Sequence, residues 1–207
     1  MKRNLFAAGA ILMALGIPAQ AANIIDEWAK VKVPPPPALK PAAVDKTYAL
    51  LVIDMVTETC NAKARPRCVE TIPAIQKLLN DARGKGIAVI YALGVSGNTF
   101  VPALAPKDGE PIVKSGADKF IDTDLDKILK DKGIKGVIAV GTLAYGGVLH
   151  TAGQAALRGF KVVVPLDGMS SLNEDTLYTE QYTAWHLANA PFFGGRVTLT
   201  KADMIKF

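Results

Sequence analysis

The residues best placed to do chemistry lie in Gly141–Ala152, which reads Gly-Thr-Leu-Ala-Tyr-Gly-Gly-Val-Leu-His-Thr-Ala. An apolar run, Gly136–Val140, precedes this stretch and predicts a buried strand. An amphipathic helix is expected after it, from about Val148 to Arg158. A strand that enters a helix through a Gly-bearing turn sets backbone N–H groups and a helix N-terminus at the carboxyl edge of a parallel sheet, where open α/β folds bind ligands. Asp54 ends a second apolar run, Thr47–Asp54, so its carboxylate either surfaces at that edge or is buried with a partner. A structural role, capping the next helix, is the other reading. Lys114 closes Pro-Ile-Val-Lys and, taken alone, reads as a solvated lysine.

Other chemistries find less support. His150 and His186 are the only histidines; they have no Asp or Glu at ligand spacing, so no metal site is expected. Each reads as a polar residue satisfied by its neighbours. No Gly-x-Ser-x-Gly elbow is present, and the glycines after Gly141 form neither a dinucleotide fingerprint nor a P-loop. No cofactor is expected. Cys60 and Cys68 are the only cysteines. Their spacing excludes a Cys-x2-Cys metal knuckle, and a disulfide across this short loop is the default in an oxidising compartment. The competing reading is two free thiols, with Cys60 as a displaced nucleophile.

The elements that must position these groups follow from periodicity. Ile87–Leu93, Ile134–Val140, Phe160–Leu166 and Arg196–Leu199 read as further strands, with a short one at Pro111–Lys114. Helices are expected at Cys68–Lys85, Thr123–Lys132 and Asn173–Asn189, with a closing turn at Lys201–Ile205. Strands alternating with helices predict a three-layer α/β/α sandwich around a mostly parallel, Rossmann-like sheet of about six strands. The loop Gly94–Glu110 is long enough to be functional.

The N-terminal segment reads differently. Lys2 and Arg3 precede an apolar Leu5–Ile17 and the small-x-small site Ala19-Gln20-Ala21, the pattern of a secretory signal peptide over residues 1–21. A retained anchor is the competing reading. Residues 22–46 form an arm with a possible short helix, Ile24–Lys30, and an extended Pro34–Pro37 stretch, and 47–207 form the domain. The mature chain is expected to be periplasmic or secreted, with no membrane contact after cleavage. The net charge of +5 is scattered, which argues for a solvated surface rather than a nucleic-acid partner.

Together these segments carry a resemblance. Ala49-Leu-Leu-Val-Ile-Asp54-Met55 resembles the first strand of the isochorismatase-like, or cysteine hydrolase, superfamily. Ala105–Lys114 is similar to that family's approach to its lysine, with Phe120 six residues further on and Asp118-Lys119 where the family has Ser-Ala. Gly141–Ala152 resembles its Gly-x5-Cys-x3-Thr-Ala turn, and the likeness runs in order from about Thr47 to Leu199. The family's amidases keep their nucleophilic cysteine at the position of Gly147, so the resemblance does not extend to the thiol mechanism. Tyr91–Val95 supplies none of the metal ligands of nicotinamidase-like members. True isochorismatases also carry glycine there and cleave a vinyl ether, their aspartate donating a proton to carbon. The segment after Lys114 lacks their arginine and aromatics, which counts against isochorismate itself.

The resemblance implies a small-molecule hydrolase without a cysteine nucleophile. Asp54 would be general acid or base, Lys114 would orient it, and backbone groups of Leu143, Ala144, Tyr145, Gly146 and Gly147 would bind an anionic oxygen, N–H donors coming from Tyr145 to Gly147. It also implies a non-proline cis peptide at Leu143–Ala144 and assembly as a homo-oligomer, for which Phe192-Phe193 offers an aromatic patch. Carrying an aspartate from pKa near 4 to near 7 costs about 4 kcal/mol of desolvation, and a neighbouring lysine opposes that shift. The alternative is a non-catalytic pseudoenzyme that binds a small ligand or protein partner in the residual pocket.

Overall fold

The computed structural model describes residues 23–30, 32–95, 97–193 and 195–207; the signal peptide expected over residues 1–21 lies outside them. The chain divides into two units, Met1–Pro34 and Pro35–Phe207. In the first, a single 3-10 turn, Trp28–Lys30, stands where a short helix is expected.

The second unit is the α/β domain. Its strands are β1 (Ala42–Ala43), β2 (Tyr48–Ile53), β3 (Ala88–Leu93), β4 (Ile112–Lys114), β5 (Gly136–Thr142), β6 (Lys161–Pro165), β7 (Met169–Ser170), β8 (Val197–Thr200) and β9 (Ile205–Lys206). Its helices are α1 (Pro66–Gly84), α2 (Leu125–Asp131), α3 (Leu149–Leu157) and α4 (Leu177–Asn189). The main sheet has seven strands, one more than expected because the two-residue β7 joins it, with order β4-β3-β2-β5-β6-β8 and β7 against β5. Every pairing is parallel. β1 and β9 pair separately, with the Lys40 N–H donating to Leu199 O at 2.9 Å.

Parallel strands buried on both faces must be apolar on both, and β2 shows how the faces divide. Ala49, Leu51 and Ile53 join the core under α2, α3 and α4, while Leu50 and Val52 join the core under α1. The chain builds β2, β3 and β4 outward in one direction, then returns to β5 and builds β6 and β8 in the other. The strand order therefore reverses between β2 and β5, and the crevice beyond their carboxyl ends is where such a fold binds ligands.

α1 begins two residues earlier than the apolar periodicity suggests. Pro66 occupies its first turn after Arg65 as N-cap, a position where a missing N–H costs nothing. Cys68 thus belongs to the helix, and its disulfide with Cys60 staples that first turn to the segment leaving β2. Both cysteines are consumed, so the free-thiol reading fails. The expected Phe192-Phe193 patch is also split: Phe193 is buried and Phe192 is 86% exposed. No described helix is long and apolar enough to cross a membrane.

The reversal point depends on Gly141. It pairs with Ile53 at φ +126°, and an added Cβ would lie 1.9 Å from Ile53 O. Gly141→Ala is expected to cost at least about 3 kcal/mol. Gly84→Ala, where a Cβ meets nothing within 4 Å, should stay within about 1 kcal/mol of the parent. Urea denaturation of both variants checks this.

Candidate active site

Asp54 is the first residue past β2 and has φ +53°, which turns its side chain across the strand ends. Its N–H donates to Ala92 O at 2.9 Å, and its Oδ1 accepts the N–H of Gly94. The carboxylate is thus held between the ends of β2 and β3.

Its charged partner is Lys119. The Lys119 ammonium lies 3.1 Å from Oδ1 and 3.0 Å from Oδ2 of Asp54, and the lysine is fully buried. Lys114 does not come to Asp54. It sits on edge strand β4, exposed, with its ammonium on the Asn98 side-chain oxygen. The resemblance assigns the lysine to position 114, whereas the geometry gives the ion pair to position 119. A three-residue edge strand turns its terminal side chains outward and leaves the next loop to deliver the buried cation. A signal for Lys119 is present in its neighbour: Phe120 is buried, packs on Phe160 with ring centroids 6.4 Å apart, and lies under the Arg158 guanidinium at 4.9 Å. That anchor draws residue 119 inward.

Thr151 explains the Thr-Ala at the start of α3. Its hydroxyl accepts the Lys119 N–H at 3.3 Å and donates to Ala117 O at 3.4 Å, so the helix after the turn fixes the lysine loop. The turn itself, Ala144–Val148, is a single π-type turn. The non-proline cis peptide is Thr142–Leu143, one bond earlier than expected. Gly146 and Val148 both donate to Leu143 O, at 3.0 and 3.2 Å. The Gly146 N–H is therefore spent inside the turn.

Gly147 faces the carboxylate. A Cβ there would lie 2.9 Å from Asp54 Oδ2 and 2.7 Å from Ile53 Cγ2. The turn thus closes on Asp54 with backbone rather than side chain. Leu143, Tyr145 and Gly146 are partly exposed, whereas Ala144 and Gly147 are buried.

Two forces act on Asp54. Burial pushes its carboxyl above the ordinary range, while the Lys119 charge and hydrogen bond, the Gly94 N–H and the Arg65 charge pull it back. The net direction is upward. Arg65 is a group that the sequence pattern does not single out, and it also feels Tyr145. Above the crevice, Glu58 ties down the long loop, accepting the N–H groups of Asn98 and Thr99, each at 3.1 Å, and the Thr99 hydroxyl at 2.9 Å. These bonds, the Asn98 N–H foremost, hold Glu58 at about 2. His150 is exposed, and His186 packs against Phe193; neither meets Asp54. Among the described residues no three His, Cys, Asp or Glu side chains gather as metal ligands.

An ammonium with 1% side-chain exposure next to a carboxylate with 18% must keep its counter-charge. Asp54→Ala is expected to cost about 3–5 kcal/mol in urea denaturation. The double change Asp54→Leu with Lys119→Met should recover most of that loss.

Comparison with known proteins agrees with this fold. The isochorismatase domain family matches residues 48–193. A secreted isochorismatase effector of Verticillium dahliae is 30% identical over 134 residues, covering 58% of this chain and 70% of the relative. An N-carbamoylsarcosine amidase from Arthrobacter is 29% identical over 124 residues, covering 45% of this chain and 47% of the relative. An isochorismatase-like hydrolase of Alkaliphilus metalliredigens superposes with TM-score 0.66 at 27% identity, covering 75% of this chain and 95% of that one. A cysteine hydrolase of Pseudomonas syringae pv. phaseolicola shares the fold, with TM-score 0.70 at 19% identity over 81% and 94% of the two chains. With the Asp54 crevice lying inside the matched span, the chain belongs to the isochorismatase family.

Proposed function

We propose that this protein is an exported isochorismatase-family hydrolase that acts on a small molecule without a thiol, using Asp54 as the proton-transferring acid. The observation that carries this reading is the buried Lys119–Asp54 pair facing Gly147 across the strand ends. The amidase relative supports hydrolytic chemistry in this family. Here both cysteines are tied in one disulfide, which leaves the crevice no sulfur nucleophile.

Asp54 is suited to the acid role by its burial, which raises the carboxyl toward the range where a proton can be given up near neutrality. In the forward step the proton moves from Asp54 to an electron-rich substrate atom, such as the carbon of an enol ether. Water adds to the resulting cation and returns a proton to Asp54; the hemiketal then breaks its C–O bond, its hydroxyl proton passing to the departing alcohol as the carbonyl forms. Lys119 stabilises the carboxylate that exists between these two transfers. Because the protonated substrate is a cation, the Tyr145 and Gly147 N–H groups are assigned in this reading to an anionic oxygen elsewhere on the substrate. Lys114 has no part in this scheme.

Export is supported by the N-terminal Lys2-Arg3, Leu5–Ile17 and Ala19-Gln20-Ala21 pattern. The Cys60–Cys68 bond fits an oxidising compartment, and the effector relative is secreted. The second reading, a ligand-binding pseudoenzyme, is favoured by the backbone-only closure at Gly147.

A pH profile of turnover on a panel of small enol ethers, esters and amides separates the two. The acid role predicts a rate that falls as pH rises through the Asp54 pKa. Asp54→Asn should abolish turnover while the folded protein remains. Lys119→Met removes the charge that lowers that pKa, so the falling limb should move to higher pH. Turnover that survives Asp54→Asn, or a limb that stays in place or moves to lower pH in Lys119→Met, overturns the mechanism. Ligand binding with no turnover anywhere on the panel favours the pseudoenzyme.

A further inference from the structure

Cations that are scattered along the sequence are gathered by the sheet register at the amino ends of the strands, opposite the Asp54 crevice. Lys85 precedes β3, Lys46 precedes β2, Lys135 precedes β5, Lys161 opens β6 and Arg196 precedes β8. These are five adjacent strands of the main sheet, so the row spans about 19 Å. Backbone hydrogen bonds lock neighbours together. The Lys135 N–H donates to Thr47 O at 2.7 Å, the Lys161 N–H to Lys135 O at 2.9 Å, and the Val162 N–H to Arg196 O at 2.9 Å. The Lys46 side chain lies 3.5 Å from where a Cβ on Gly86 would stand, which sets it beside Lys85. All five residues are exposed. Among the described residues within three positions of these strand starts, Asp45 is the one carboxylate, and it already accepts the N–H and hydroxyl of Thr47 at 2.8 and 2.6 Å.

The fold does not call for this row. Lys85 is the C-cap of α1, where a cation answers the helix dipole. Lys46, Lys161 and Arg196 end no helix, and like charges side by side on a sheet repel. Exposed apolar side chains share the same edge. α3 runs from the turn at the carboxyl edge down to Gly159 before β6, so its last residue, Leu157, stands at the amino end; it is 53% exposed. The Arg196 guanidinium donates to Gly159 O at 3.5 Å, two residues past Leu157. Phe193 is buried, its ring 3.3 Å from where a Cβ on Gly153 of α3 would stand, and its carbonyl accepts the Arg196 N–H at 3.0 Å. Phe192 beside it is 86% exposed at φ +71°, a left-handed backbone uncommon for a bulky residue. Phe193 anchors this loop, and Phe192 is turned out of it into water.

We propose that the amino edge of the main sheet is a peripheral membrane-binding face whose partner is an anionic lipid bilayer. The basic row meets the headgroups, and Phe192 and Leu157 enter the interfacial layer. The Asp54 crevice, beyond the opposite ends of the same strands, faces away from the lipid. Charge alone suits any polyanion. Exposed apolar residues beside the row suit a surface that is anionic outside and hydrocarbon beneath, which a nucleic-acid backbone does not offer. Peripheral attachment needs no spanning helix, and no described helix is long and apolar enough to be one. It replaces the expectation that the mature chain keeps clear of the membrane, and it is independent of proton transfer by Asp54.

The test is flotation of the oxidised protein, with residues 1–21 removed as export would leave it, on vesicles of phosphatidylcholine alone or with about 30% phosphatidylglycerol. The protein should float with the anionic vesicles at about 0.05 M salt, stay behind with the neutral ones, and be released by about 0.5 M salt. Lys135→Gln with Lys161→Gln should lower partition about 25-fold, at about fivefold per lysine. Lys63→Gln with Lys114→Gln, away from this edge, should leave it within about twofold. Phe192→Ser should weaken binding at every salt concentration, and Phe192→Trp should show a fluorescence blue shift on anionic vesicles that the parent protein lacks. Failure to float with anionic vesicles, or equal binding to neutral ones, overturns the proposal, as does binding to duplex DNA without binding to vesicles. An equal loss in the two double variants assigns the attraction to net charge and overturns the basic face. Absence of both Phe192 effects overturns the insertion of that side chain.

Discussion

A lysine ammonium removed from water needs a carboxylate at hydrogen-bond distance, because the cost of stripping hydration from an unpaired ion exceeds what packing returns. In this protein that requirement joins segments far apart in sequence. Lys119 comes from the loop before α2 and Asp54 from the end of β2, 65 positions earlier. Gly94 at the end of β3 supplies the N–H on one carboxylate oxygen, and Thr151 at the start of α3 holds the lysine loop from behind. The strand-order reversal between β2 and β5 opens the crevice, and the ion pair fills its floor. Residues with no charge of their own, Thr151 and Phe120, hold the loop that makes this pairing.

The sheet is legible in the sequence because its strands are buried on both faces and so read as unbroken apolar runs; Thr47–Asp54 against the observed Tyr48–Ile53 is the clearest case. Helix ends are read less well where polar residues take part in the first turn. α4 is preceded by a 3-10 turn, Glu174–Thr176, capped by Asn173, and the apolar pattern merges the two. Asp54 is visible because a carboxylate after a buried strand has few places to go. Lys119 escapes because nothing in its own neighbourhood marks burial apart from Phe120, and because Lys114 stands at a strand end where a functional lysine is easily imagined. Arg65 escapes for another reason: the stretch between Cys60 and Cys68 reads simply as a loop, and only the placement of Pro66 and Cys68 in α1 separates its two arginines.

That separation reflects a division of labour between cross-links. The Arg67–Glu180 contact holds α1 to the α4 side of the domain, while the disulfide holds the same helix end to the segment leaving β2. One is an ion pair that tolerates small adjustment, and the other is a covalent link that does not. Between them the rim of the crevice is assembled from elements that belong to opposite cores, since α1 packs on one face of the sheet and α4 on the other.

The close approach at Gly147 also limits what the turn can carry. A side chain there would collide first with Ile53 Cγ2 and only then with the carboxylate. The carboxylate is held by Lys119 and the Gly94 N–H, and Ile53 is a β-branched residue packed in the core and paired with Gly141. A cysteine at position 147 would therefore require the turn and the end of β2 to move apart. In this chain the packing of the core and the chemistry open to the turn are thus settled by the same few ångströms between position 147 and the end of β2.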